Sequence, residues 1–318
     1  MAPASHRDGP VEAIGWRCSE LARAVDEPLA GTAPQARVWV AVEQPGPWGP
    51  RPVTDPADSH LPAAVREALA AADALADVKT LVVRRPGRHA DPPEATAPRQ
   101  VLLACVAPEH RFVVSTTCRS TEELVDLDLA SAAAAAVAGR TPDWGEAVRG
   151  PVTFVCTNGR RDRCCALAGR PVAAHLATER PTTVWECNHL GGHRFAPTAL
   201  VLPAGAVYGG LDGPELAHAV AGLEQSWLTL TGLRGLSVLT PVQQVADVAA
   251  RRVAGIDDLD ATSPQPARTG EGGDVRVTVG TADRRVEVLV REVARPDRPE
   301  SCGKTAVPRT DLVADVLA

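Results

Sequence analysis

Short apolar runs, each closed by turn-forming residues, alternate with alanine- and leucine-rich stretches along most of this chain. The runs are short enough for strands, and the richer stretches carry the spacing of helices. A first strand fits Ala36 to Glu43 and ends in the turn-rich segment Gln44-Pro-Gly-Pro-Trp48-Gly-Pro. A helix fits Leu61 to Ala76, with Asp58-Ser59 ahead of it as a cap. Strands follow at Lys79–Arg84, Gln100–Ala104 and Arg111–Ser115, then a helix over Leu127–Ala138. Residues 1–15 read as a loose leader, and Arg85 to Pro98, rich in Pro, Arg and His, reads as an exposed loop.

The second half repeats that order. A strand at Val152–Cys156 leads to a helix from Cys164 to Ala177, then to strands at Thr182–Glu186, Ala199–Leu202 and Ala206–Tyr208 and a helix at Pro214–Leu223. Strand, helix, strand, two strands, helix is the order of a thioredoxin-like layer, so the pattern predicts an α/β protein of two thioredoxin-like lobes, mixed sheets flanked by helices. A further amphipathic helix spans Pro241 to Val253 through Val242, Val245, Val248 and Ala249. Asp257–Asp274 has linker composition, and Val275–Val279 with Arg285–Val290 form a small C-terminal β-hairpin across Gly280-Thr-Ala-Asp, followed by a short final helix. The expected division is a degenerate first lobe over 12–145, a second lobe over 150–256, a linker over 257–274 and the hairpin with its tail over 275–318.

Composition narrows the function classes. Hydrophobic content of 45% with 23% charged residues is that of a soluble globular chain, and aromatics at 3% leave the core to Ala, Val and Leu. The net charge of −6 argues against a nucleic-acid partner. No apolar run approaches the length of a membrane helix, and Met1 to Pro10 carries no signal-peptide core, so a cytoplasmic protein without a membrane partner is expected. In that compartment eight cysteines point to metal or redox chemistry before disulfides.

Candidate chemistry concentrates between Cys156 and His193. The chain reads Cys156-Thr-Asn-Gly-Arg-Arg-Asp-Arg-Cys164-Cys165 and later Cys187-Asn-His189-Leu-Gly-Gly-His193-Arg194. Thiolate and imidazole are the side chains best suited to soft and borderline metals. Cys156 falls where a strand ends, and Cys165 falls near the positive start of a helix, which favours a thiolate. Gly191-Gly192 disfavours a helix between the two histidines, so a loop wrapping a metal is expected there. By spacing alone, two cysteines and two histidines suit zinc as well as an iron–sulfur cluster.

These segments, with Trp185-Glu-Cys-Asn-His-Leu-Gly-Gly-His-Arg-Phe-Ala-Pro, Val201-Leu-Pro-Ala-Gly-Ala-Val-Tyr and Glu43-Gln-Pro-Gly-Pro-Trp-Gly, resemble the sucrase/ferredoxin-like family. Some of its members resemble thioredoxin-like ferredoxins that bind a 2Fe–2S cluster through two cysteines and two histidines. The resemblance implies that the second lobe is ferredoxin-like, with Cys156 and Cys165 on one iron and His189 and His193 on the other. The implied function is one-electron transfer, coupled to protons through the histidines, to or from a redox partner protein, with no catalytic residues of its own. The alternatives are a zinc-stabilised binding module without a redox role and a thiol oxidoreductase, the latter disfavoured by the absence of Cys-x-x-Cys. Nothing in the residues argues for a glycosidase's paired carboxylates, whatever the family's name suggests.

The remaining residues have plainer readings. Cys164 and Cys187 are expected to be core residues, and Cys18, Cys105, Cys118 and Cys302 ordinary packing or surface thiols. Trp16, Trp39, Trp48 and Trp185 are expected to anchor packing, and His175 to sit on a helix surface. Arg160, Arg161, Arg163 and Arg194 read as a solvated loop that would tune a cluster or dock a partner if one is near.

Overall fold

The computed structural model describes residues 17–89, 97–270 and 274–317. The leader over 1–15, Trp16, residues 90–96 of the Arg85–Pro98 loop and residues 271–273 of the expected linker lie outside the described residues. After helix α1 (Cys18–Ala24) the chain enters β1 (Val38–Glu43), whose Val38, Val40 and Val42 face one core cluster while Trp39 and Ala41 face another. A period of two with apolar residues on both sides is what a central strand requires.

Helix α2 (Ala63–Asp73) crosses to β2 (Val78–Arg84), parallel to β1. β3 (Arg99–Cys105) pairs antiparallel with the other edge of β1, and β4 (Phe112–Cys118) with β3. Helices α3 (Thr121–Asp126) and α4 (Leu129–Val137) and the short β5 (Glu146–Ala147) complete this half. The helix expected over Leu127–Ala138 is α4, which starts at Leu129 because Asp128 takes a left-handed φ of 43° and caps it by accepting from the Ser131 amide; α3 precedes it, outside the expected range. The expected cap of α2 is also displaced: Pro62 holds that position, and the Asp58 carboxylate instead accepts from the Arg51 amide.

The second half has the same connectivity. β6 (Val152–Cys156), α5 (Arg163–Glu179) and β7 (Val184–Cys187) form a parallel crossover, and β8 (Thr198–Leu202) and β9 (Ala206–Gly209) add antiparallel before α6 (Gly213–Glu224). An edge strand, β10 (Leu233–Leu236), was not legible in its short Leu-Arg-Gly-Leu sequence, and α7 (Pro241–Ala254) follows it.

The two expected lobes are halves of one sheet. Its order is β10-β9-β8-β6-β7-β2-β1-β3-β4-β5, and the halves meet where β2 and β7 pair antiparallel through Val83–Cys187 and Arg84–Glu186. Helices α2 and α4 cover one face of the first half, and α5 and α6 one face of the second. The inner faces of both halves share one cluster holding Trp39, Leu81, Phe154, Trp185 and Leu200, together with Cys156, Cys165 and Cys187.

The C-terminal extension is larger than a hairpin. β13 (Val275–Gly280) and β14 (Arg285–Pro299) pair as expected, but the tail expected to be helical is β15 (Ala306–Leu317), antiparallel to β14. Short β11 (Ser263–Pro264) and β12 (Arg268–Thr269) flank β13, so part of the expected linker is built into this sheet. Its apolar face, with Val277, Val279 and Val288, packs on Val245, Ala246 and Ala250 of α7. No helix among the described residues is long and apolar enough to cross a membrane.

The seam between the halves carries a buried ion pair. Arg84 and Glu186, with side chains 5% and 2% exposed, pair at 2.8 Å. The Thr157 hydroxyl donates to the same carboxylate at 2.8 Å, and Arg84 also donates to the Gly46 carbonyl at 2.7 Å and lies over the Trp48 ring at 3.9 Å. Removing one partner of such a pair strands the other charge out of water. Arg84→Met is therefore expected to lower unfolding stability by about 3–5 kcal/mol in chemical denaturation. Arg84→Met/Glu186→Leu should recover part of that loss.

Candidate metal centre

The strand–loop–helix unit from β6 to α5 places two cysteines at one end of the sheet. Cys156 is the last residue of β6, and its alternation with Val155 turns it to the shared inner cluster. The loop that follows is tied by Asn158, whose Oδ1 accepts from the Arg160 amide at 3.1 Å while its Nδ2 donates to the Gly49 carbonyl of the first half at 2.9 Å. Asp162 then caps α5 by accepting from the Cys164 amide at 2.8 Å. Cys164 and Cys165 thus occupy the first turn of a long helix, where the aligned peptide dipoles favour negative charge.

The histidines come from the loop after β7. The Asn188 side chain accepts from the Val82 amide at 3.1 Å, which ties this loop to the first half at the seam. Gly191 and Gly192 take left-handed φ values of 71° and 68°, and His193 opens a single 3-10 turn, so a loop carries both imidazoles as the glycines predicted. A Cβ on Gly192 would lie 2.5 Å from the Arg234 guanidinium, so a side chain is excluded there on two counts.

These elements bring all four sequence-predicted donors to one place. Cys165 Sγ lies 3.4 Å from His193 Nδ1, and the His189 and His193 rings stack with centroids 4.6 Å apart. Cys156 Sγ reaches the Asn188 carbonyl at 3.8 Å and makes side-chain hydrogen bonds with Cys165, Cys187 and His189. Those bonds hold the Cys156 thiol well below its ordinary range against the cost of burial, Cys165 contributing most. Cys165 is pushed up by the same bond and then by burial, and Cys187 is pushed up by burial first. Burial, and then the neighbouring His189, lowers His193. Cys187 is fully buried, as its core reading required, but it also touches Cys156.

A cation missed in the sequence stands behind the site. Arg234 of β10 is 1% exposed and donates to Thr32 Oγ1 at 3.0 Å and the Gly191 carbonyl at 3.2 Å. Burial, with Arg194 adding, lowers it to about 9, while charge on Cys156 and Cys165 opposes the shift. Arg194 is engaged with Glu27 at 2.5 Å; the side chains of Arg160, Arg161 and Arg163 reach the surface.

A second group of donors lies next to the first. Sγ of Cys18, Cys164 and Cys302 and a carboxylate oxygen of Asp162 all lie within 4.8 Å of one another, a spacing that can hold a metal ion. Cys18 and Cys164 are buried in one small cluster with Cys302 against it, as packing thiols are, but the fold also gathers their sulfurs from three remote segments, which local spacing could not show. Cys105 and Cys118 do fit packing roles; both are buried, with Cys105 Sγ on the Ala136 carbonyl at 3.7 Å and Cys118 pushed up to about 11 by burial. Trp39, Trp48 and Trp185 are buried as expected, and His175 is half-buried against Gly213.

Residues 29–226, more than half of the 318, match the model of a protein family described as sucrase/ferredoxin-like. No curated protein and no solved structure matches the chain.

One contact sets how closely α5 approaches the Cys156 strand. Gly169 of α5 packs on the backbone beyond β6, and a Cβ there would lie 2.2 Å from the Cys156 carbonyl oxygen. In a free helix, alanine would be better than glycine by about 1 kcal/mol. Overpacking against rigid backbone reverses the sign, so Gly169→Ala is expected to cost about 1–3 kcal/mol, read by denaturation, and to lower metal content in the purified protein.

Proposed function

The chain belongs to the sucrase/ferredoxin-like family, and on that premise we propose that Cys156, Cys165, His189 and His193 hold a 2Fe–2S cluster in a cytoplasmic electron-transfer protein. The observation that carries this reading is the meeting of two thiols and two imidazoles at one end of the sheet, with Cys165 and His193 in contact at 3.4 Å. Their chemistry fits the group: one thiol is already held toward thiolate, and His189 Nδ1 is buried without a hydrogen-bond partner. A buried unpaired ring nitrogen is costly unless something binds it. Bound there, a 2Fe–2S cluster would supply one-electron transfer at a potential raised above that of all-cysteine ferredoxins, because two neutral imidazoles replace two thiolates.

The protein's own residues tune and present the site. Arg234 places positive charge beside the thiolates, which favours the more negative, reduced state. A ligating imidazole keeps a second ring proton, so His189 and His193 couple proton release to oxidation. Exposed Arg160 and Arg161 on the loop before α5 suit the acidic face of a redox partner protein.

Anaerobically purified protein is expected to be brown, with two irons per chain and a rhombic paramagnetic signal on reduction. Cys156→Ser or Cys165→Ser should abolish both colour and iron. In the wild type the potential should fall as pH rises, because deprotonation favours the oxidised state. His193→Cys should keep the colour, lower the potential and flatten that dependence, read by redox titration across pH. A colourless protein carrying zinc at this site would overturn the reading.

A further inference from the structure

We propose that Cys18, Cys164 and Cys302, with the carboxylate of Asp162, form a structural zinc site that staples the C-terminal sheet and the first helix to the start of α5. The three segments are far apart in the chain, with Cys18 in α1, Asp162 and Cys164 at the α5 N-terminus, and Cys302 in the turn joining β14 to β15. Their sulfurs nevertheless form a closed triangle: Cys18–Cys164 at 3.6 Å, Cys18–Cys302 at 3.6 Å and Cys164–Cys302 at 3.2 Å. Asp162 Oδ2 lies 3.6 Å from the Cys18 sulfur. These are too long for disulfides, whose sulfurs lie about 2.05 Å apart. They are close to the edges of a tetrahedron around zinc, which for Zn–S bonds of about 2.3 Å measure about 3.8 Å.

The surroundings fit a closed structural site. Cys18, Cys164 and Asp162 are buried, and Cys302 is half-buried at the edge. The Ser19 hydroxyl donates to Cys164 Sγ at 3.3 Å, and the Ser301 hydroxyl and Cys302 amide donate to Asp162 Oδ2 at 2.6 and 2.8 Å. Such outer bonds orient ligands and stabilise the negative charge they carry. The amide ends of the 17-residue α5 add positive charge toward the same point, and Arg17, itself ion-paired with Glu20, lies beside it. Three thiolates and one carboxylate suit zinc better than a hard cation, and no position is left open for catalysis. Binding forms three Zn–S bonds and one Zn–O bond and releases the three thiol protons to solvent; no electron changes hands.

The test uses the full chain and reads zinc separately from iron. Wild-type protein is expected to retain one zinc per chain after dialysis against a weak chelator, with an X-ray absorption edge fitted by three sulfurs and one oxygen. Cys302→Ser lies in a surface turn, so circular dichroism should be unchanged while that zinc is lost and iron and colour stay. Cys18→Ser should do the same. If the first centre itself carries zinc, the wild type holds two zinc ions and Cys302→Ser holds one, so failure of the iron–sulfur reading leaves this outcome distinct. Zinc content unchanged in Cys302→Ser would overturn the proposal. So would wild-type protein that takes up no zinc at these cysteines, or whose Cys164 and Cys302 are found by mass spectrometry as a disulfide.

Discussion

The arrangement of Cys156, Cys165, His189 and His193 depends on the seam where β2 meets β7. Only two residue pairs form that junction, Val83–Cys187 and Arg84–Glu186, yet they turn two half-sheets into one. Glu186 is flanked in the chain by Trp185 of the inner core and by Cys187, which touches Cys156. Its carboxylate takes the Arg84 guanidinium from the first half and the Thr157 hydroxyl from the residue after Cys156. A charge so deeply buried is tolerated only when paired and hydrogen-bonded, so the position of Thr157, and with it the end of β6, is set by the first half. That gives the first half a physical role although it carries no ligand pair: through Arg84, Gly46, Gly49 and Val82 it braces both loops that hold the donors.

The adjacent cysteines of α5 divide their work for a geometric reason. Successive residues on an α-helix point about 100° apart, so neighbours in one turn do not face the same point. Cys165 turns inward to His193, and Cys164 turns outward to Cys18 and Cys302. One helical turn, capped by Asp162, therefore serves two sets of donors. Asp162 belongs to both arrangements, since it fixes the amide of Cys164 and also receives Ser301 and the Cys302 amide from the C-terminal turn.

Much of the fold could be read locally. The Val152–Cys156 strand, the helices before β7 and after β9, and α7 stand out because apolar periodicity and turn residues bound them. The elements missed are those fixed by distant partners. β10 holds a glycine and a buried arginine, a poor strand signature that pairing with β9 overrides. β15 is an edge strand, where Pro308 is tolerated, and its conformation comes from β14. The cysteines and histidines at 156, 165, 189 and 193 could be grouped from the sequence because each pair is close in the chain, and the family resemblance chose Cys165 over Cys164. Cys18 and Cys302 had no such signal; only the folded chain, closing a separation of 284 residues, brings their sulfurs together.

The two donor sets are coupled through α5 because they share its first turn. Any ligand that binds the folded arrangement of one set stabilises that turn and lowers the ordering cost of filling the other. The coupling must be reciprocal: whatever tightening occupancy at Cys18, Cys164 and Cys302 confers on Cys165 is returned when Cys165 is ligated. With both sets filled, thiolates would meet at one helix end, however, so their negative charges would oppose that gain. Arg234 beside Cys156 and Cys165, and Arg17 toward Cys164 and Cys302, set positive charge on each side of the turn. These cations offset part of that repulsion, so the sign of the net coupling is set by how much of it they leave.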